Sequence, residues 1–143
     1  MPVKTADAVW NGSLMDGRGH MKTQSGALDV DYGWKSRAEE APGTNPEELI
    51  AAAHAGCFSM ALSHILAEGK HPPTQINTHA EVTFAKQGDG FTITGIALKT
   101  EAAVPGIDDA AFQEAAQKAK AGCPVSKALA GVPEITLVAR LRS

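Results

Sequence analysis

The stretch between Asn45 and Gly69 restricts the fold of this chain more than any other. It opens with strong helix-start signals. Asn45 is a good N-cap, Pro46 suits the first helical position, and Glu48 follows Asn45 at the spacing of a capping box. Glu47 and Glu48 also complement the positive end of the helix dipole. Gly69, with Pro72 and Pro73 beyond it, marks the end, so a helix is predicted to about Glu68. On a helical wheel this element is apolar nearly all round. Ile50, Ala53, Met60 and Ala61 share the face of Cys57, while Ala55, Leu62 and Leu66 lie opposite. A helix that is apolar on every side is expected to be buried on every side. Its Ala, Gly and Ser residues allow another backbone to come close. A chain of 143 residues, a single domain by length, has little material to surround such a helix, whereas the centre of a dimer has enough.

The rest of the chain reads mainly as strand. Ala6 to Leu14 and His20 to Ser25 are predicted strands around the turn Asp16-Gly-Arg-Gly19, with a short third segment after Gly26. The two glycines flanking Arg18 fit a hairpin turn better than a phosphate loop. From Val30 to Gly43 the sequence is irregular and carries Arg37. Ile76, Thr78, Ala80, Val82 and Phe84 alternate, Gln87-Gly-Asp-Gly90 turns the chain, and Phe91 to Thr100 returns. The apolar phase shifts near Gly95, where a bulge is expected. A helix starts at Asp108 with Phe112, Ala115, Ala116 and Ala119 on one face, and Gly122 ends it. Pro124 opens a short helix to Ala130, and Glu134 to Arg142 is a last strand with Ile135, Leu137, Ala139 and Leu141 inward. This order is α+β with a mainly antiparallel sheet.

Composition narrows the function classes. A net charge of −3 leaves no basic patch for nucleic acid. No continuous apolar run exceeds about a dozen residues, which is short for a bilayer span, and the opening Met1-Pro-Val-Lys-Thr-Ala-Asp7 has no signal-peptide core. A cytoplasmic protein without a membrane partner is expected. In that compartment a disulfide tends to be transient and catalytic.

Two cysteines are therefore of interest. Cys57, taken alone, reads as a small buried hydrophobe. It lies about 16 Å from the helix N-terminus at the usual rise, beyond the reach of the dipole, so a reactive thiolate there needs a nearby cation. Cys123 precedes Pro124 at a helix start, where unpaired backbone amides favour a thiolate, and local physics makes it the more acidic sulfur. Among the arginines, Arg18 belongs to a turn and Arg140 and Arg142 to the solvated side of the last strand. Arg37 leads into the cysteine helix, and its planar fork suits both a thiolate and a carboxylate. Glu47 is the candidate carboxylate to orient it, although a helix-start residue needs no such role. His54 and His64 share the face of Cys57 and could with two cysteines supply zinc ligands, but the spacing matches no compact zinc motif. Nothing resembles a serine triad, a paired-carboxylate hydrolase or a nucleotide loop.

Four segments, Gly43-Thr-Asn-Pro-Glu-Glu-Leu-Ile50, Ala53-His-Ala-Gly-Cys-Phe-Ser-Met-Ala-Leu62, Val104-Pro-Gly-Ile-Asp108 and Lys118-Ala-Lys-Ala-Gly-Cys-Pro-Val-Ser126, resemble the OsmC/Ohr family of thiol peroxidases, and more closely its OsmC (osmotically inducible protein C) branch. The resemblance implies an OsmC-like fold in which mainly antiparallel sheets wrap central helices in an intertwined homodimer. It implies peroxidase activity on organic hydroperoxides and hydrogen peroxide, in oxidative or osmotic stress defence. By position it makes Cys57 the peroxidatic and Cys123 the resolving cysteine, joined in turnover as a disulfide, with Arg37 and Glu47 completing the site. It implies no metal, haem or flavin cofactor, and an external thiol reductant of dihydrolipoyl type. A redox sensor or small-ligand binding module would carry the same cysteine pair without turnover.

Overall fold

The structure, a computed structural model, describes residues 1–142 and divides into two compact units, Met1–Leu49 and Ile50–Ser143. The first holds a three-stranded antiparallel sheet, β1 (Ala6–Asn11), β2 (Arg18–Thr23) and β3 (Asp29–Tyr32), in that order, followed by the short helix α1 (Trp34–Ala38). β1 stops before the expected Leu14 because Gly12 takes φ 95°, and Ser13 begins a turn closed by the Gly17 amide on its carbonyl at 2.7 Å. Gly19 lies opposite Trp10 in β1 and Tyr32 in β3, whose tilted rings stand 5.5 Å apart. A Cβ at Gly19 would come within 2.6 Å of the Trp10 ring. This glycine makes room for the ring packing. Gly19→Ala is expected to lower stability by about 1–3 kcal/mol through overpacking, measured by chemical denaturation.

β3 is the short third segment expected after Gly26, carried on to Tyr32, and the stretch expected to be irregular contains α1. Five helical residues are too few to show a 3.6-residue period, and α1 owes its place to Ser36. The buried Ser36 hydroxyl donates to the Thr44 carbonyl at 2.8 Å, and the Asn45 side-chain amide donates to the Ser36 carbonyl at 2.9 Å.

α2 runs Pro46–Glu68 as the sequence predicts. The Asn45 side chain accepts the Glu48 amide at 2.7 Å, while the Glu48 carboxylate accepts the Thr44 hydroxyl at 2.8 Å instead of closing a capping box. In the second unit α2 presents His54, Phe58, Leu62 and Leu66, each 2% exposed or less, to a core that includes Leu98, Phe112 and Ala116. The expectation of burial on every side does not hold within one chain. Ala52, Ala53, Gly56, Met60 and Ala67 are exposed, Met60 at 76%. Nor does α2 fall short of a bilayer span: over its 23 residues it is long and apolar enough to cross one. Its Ala, Gly and Ser positions supply that length without any long unbroken run of large apolar residues.

Behind α2 lies a second three-stranded sheet, β4 (Gln75–Gln87), β5 (Gly90–Ala103) and β6 (Glu134–Arg142), in the order β4-β5-β6. The β4–β5 hairpin shifts register between Thr83, which faces Gly95, and Phe84, which faces Ile93, so the expected bulge is present with Thr94 as the extra residue. α3 (Asp109–Gly122) is capped by the Asp108 carboxylate accepting the Ala111 amide at 2.8 Å, and it buries Phe112, Ala115, Ala116 and Ala119. α4 (Pro124–Ala128) follows directly. β6 alternates as read, with Ile135, Leu137, Ala139 and Leu141 half-buried, but it pairs parallel to β5, since α3 and α4 form the crossover between them. The α+β class with mainly antiparallel pairing stands, with this one parallel ladder.

Candidate functional site

The first unit builds an arginine–carboxylate fork. Ser36 and Asn45 fix α1 against the start of α2, and Arg37 follows Ser36. Arg37 Nε donates to Glu47 Oε1 and its terminal nitrogen to Oε2, both at 2.9 Å. The two parallel bonds fix the guanidinium plane. The Glu47 side chain is 7% exposed and that of Arg37 is 34% exposed. Glu47 is thus spent on Arg37 as well as on the helix start.

In the second unit the two cysteines meet. Cys57 is half-buried on α2, Cys123 is fully buried between α3 and α4, and both are free thiols close enough for each to shift the other's ionisation. Cys123 closes α3, its amide donating to the Ala119 carbonyl at 2.9 Å, and heads α4 with Pro124 next. Burial pushes the Cys57 thiol up, and its hydrogen bond to Cys123 raises it further. Burial also raises Cys123, but the Cys57 thiol, the Ser126 amide and hydroxyl and the Val125 amide together bring it below the usual thiol value. These amides lie against the sulfur without closing a standard side-chain cap. Within this unit the negative charge therefore favours Cys123.

His54, one turn before Cys57, is fully buried, and its Nε2 lies 2.7 Å from Ser126 Oγ on α4. His64, expected on the same face as Cys57, is exposed and pairs with Glu68 at 3.3 Å. The histidines thus diverge, and no group of three His, Cys, Asp or Glu side chains among the described residues could hold a metal. Sequence reading missed Ser126 and Ser36. The Cys123-x-x-Ser126 spacing, a cap and its third helical residue, carried a signal for Ser126. Ser36 carried none, because its partners are set by tertiary structure.

The profile of the OsmC-like protein family matches residues 38–138. The chain is 53% identical over 141 residues to the peroxiredoxin OsmC of Escherichia coli (strain K12), covering 98% of this chain and 97% of that protein. It is 32% identical over 121 residues to the organic hydroperoxide resistance protein OhrB of Bacillus subtilis (strain 168), covering 83% and 87%. The solved structure of an organic hydroperoxide resistance protein OsmC from Legionella pneumophila matches at a TM-score of 0.71 and 25% identity, covering 100% of both chains.

Proposed function

The chain belongs to the OsmC-like protein family, and on that premise we propose that it reduces hydroperoxides with Cys57 as peroxidatic and Cys123 as resolving cysteine. Its relatives support a cysteine-based peroxidase of organic hydroperoxides. The observation that carries the assignment is the thiol-to-thiol contact of Cys57 with Cys123, two residues far apart in sequence.

In the proposed cycle the Cys57 thiolate attacks the outer oxygen of the hydroperoxide. An S–O bond forms, the O–O bond breaks, and the alcohol leaves after taking a proton. Arg37 is assigned to stabilise both the Cys57 thiolate and the charge on the departing oxygen, with Glu47 holding its fork. Cys123 then attacks the Cys57 sulfenic acid, forming S–S, breaking S–O and releasing water before further oxidation occurs. A dithiol of dihydrolipoyl type returns both cysteines to thiols by exchange. The cycle uses no metal, haem or flavin, accepts hydrogen peroxide as well as organic hydroperoxides, and belongs to oxidative and osmotic stress defence in the reducing cytoplasm.

The test is steady-state consumption of cumene hydroperoxide with a dihydrolipoyl donor. An enzyme consumes many equivalents. A redox sensor or binding module stops after one, and that result would remove the enzymatic reading.

The proposal includes a single 1–143 domain that works as an intertwined homodimer, with the exposed apolar face of α2 against a second copy. Gly56 supports this: it lies mid-helix, where glycine costs about 0.5–1 kcal/mol relative to alanine, yet a Cβ there would meet nothing within 4 Å in its own chain. Gly56→Leu is expected to yield monomers in sedimentation velocity, whereas an unchanged dimer would exclude this face.

A further inference from the structure

The peroxidase cycle above leaves a fully buried histidine unused. His54 is fully buried, donates or accepts at Nε2 with Ser126 Oγ at 2.7 Å, and has an Nδ1 with no hydrogen-bond partner. The orphan atom decides the tautomer. A proton on Nδ1 would leave a buried N–H unpaired, a rarer and costlier state than a buried acceptor without a donor. The proton therefore sits on Nε2, and His54 donates to Ser126. Burial, which lowers the His54 pKa, keeps the ring neutral in this role. With its oxygen engaged by His54, the Ser126 hydroxyl is free to turn its own proton outward. Ser126 is itself buried at the third position of α4, three residues after Cys123, and its hydroxyl favours charge on the Cys123 sulfur. The result is a one-way chain of donors, from His54 to Ser126 to Cys123, beside the sulfur of Cys57.

We propose that His54, acting through Ser126, is a positioning residue for the resolving step, because it aims the Ser126 hydroxyl proton at the sulfur of Cys123. This rests on the peroxidase reading. In that step the Cys123 thiolate attacks the sulfenic sulfur of Cys57, the S–S bond forms, and the S–O bond breaks to release hydroxide, which takes a proton from solvent. The Ser126 hydroxyl holds the sulfur as a thiolate pointed along that path and receives it again as the leaving thiolate when the external dithiol reduces the disulfide. His54 exchanges no proton.

The readout is a partition. Excess cumene hydroperoxide competes with Cys123 for the Cys57 sulfenic acid, so the ratio of Cys57 sulfinic acid to Cys57–Cys123 disulfide, read by mass spectrometry, measures resolution against a second oxidation of the same intermediate. Ser126→Ala and His54→Leu are each expected to raise that ratio about tenfold, the scale of one lost charge-assisted hydrogen bond. The double variant should go no further, because the two act in series. His54→Gln, which keeps a donor, and Ser126→Thr, which keeps the hydroxyl, should restore most of the wild-type ratio. A merely structural role would slow the second oxidation and resolution together and leave the ratio unmoved. A wild-type ratio in Ser126→Ala overturns the proposal while leaving the peroxidase reading intact. Wild-type protein that forms neither product overturns both.

Discussion

Cys57→Ser is expected to abolish hydroperoxide turnover, with a loss on the order of a thousandfold or more. The serine hydroxyl fills the same space on α2, beside a core that closes around Phe58 and Leu62, so the fold should survive and the loss should report chemistry. A hydroxyl is not ionised at neutral pH and cannot pass through a sulfenic acid. Cys123→Ser should behave differently. It should still consume the first equivalent of peroxide through Cys57 and then fail to turn over, its sulfenic acid taking a second equivalent to become sulfinic acid in excess peroxide, because no second thiol intercepts the intermediate. Stopped-flow consumption of cumene hydroperoxide separates the two. Equal first-equivalent rates in Cys57→Ser and wild type would reverse the roles of the cysteines.

Arg37→Met should produce the second large effect, a fall of about 10²–10³ in the rate of Cys57 oxidation, the size seen when one preorganised charge-stabilising donor is removed. Burial and contact with Cys123 both push the Cys57 thiol up, while the amides and hydroxyl around Cys123 favour charge there. The peroxidatic thiolate thus needs a cation from outside that pair, and this is the role assigned to Arg37. The same argument fixes the sign of the pH effect. In the proposed cycle, loss of the guanidinium withdraws that stabilisation of the thiolate, so the ascending limb of rate against pH is expected at higher pH. Glu47→Gln keeps the cation but loses its bidentate clamp, and a smaller loss of about tenfold is expected. A pH–rate profile in Arg37→Met that overlies the wild type would remove Arg37 from the mechanism.

The sequence was most legible where local signals are strong. The bounds of α2, the α3 face, the Gly95 bulge and the inward alternation of β6 each follow from caps, periodicity or turn chemistry, and each appears in the structure. The parallel pairing of β6 with β5 was not legible, because alternation reports which side faces the core and not the direction of the neighbouring strand. α1 escaped notice because five residues held by Ser36 show no period. At the site, the residue types of Arg37 and Glu47 singled them out, and the structure joins them in a fork within the first unit. The bond between His54 and Ser126 could not be read, since 72 positions separate them and only the fold brings α2 and α4 together. Exposure of one α2 face is what a chain with too little material to surround that helix leaves. Composition gives a helix's affinity for apolar surroundings, but not whether its own chain supplies them.

The central claim is that peroxide drives Cys57 and Cys123 into one disulfide. Its most direct test is the intact mass of the protein, with peptide mapping, after one equivalent of cumene hydroperoxide. The account predicts a loss of two hydrogens and a single linked peptide pair containing Cys57 and Cys123. Protein that instead gains oxygen at Cys57 while Cys123 stays a free thiol, with no linked pair at any time point, would contradict it.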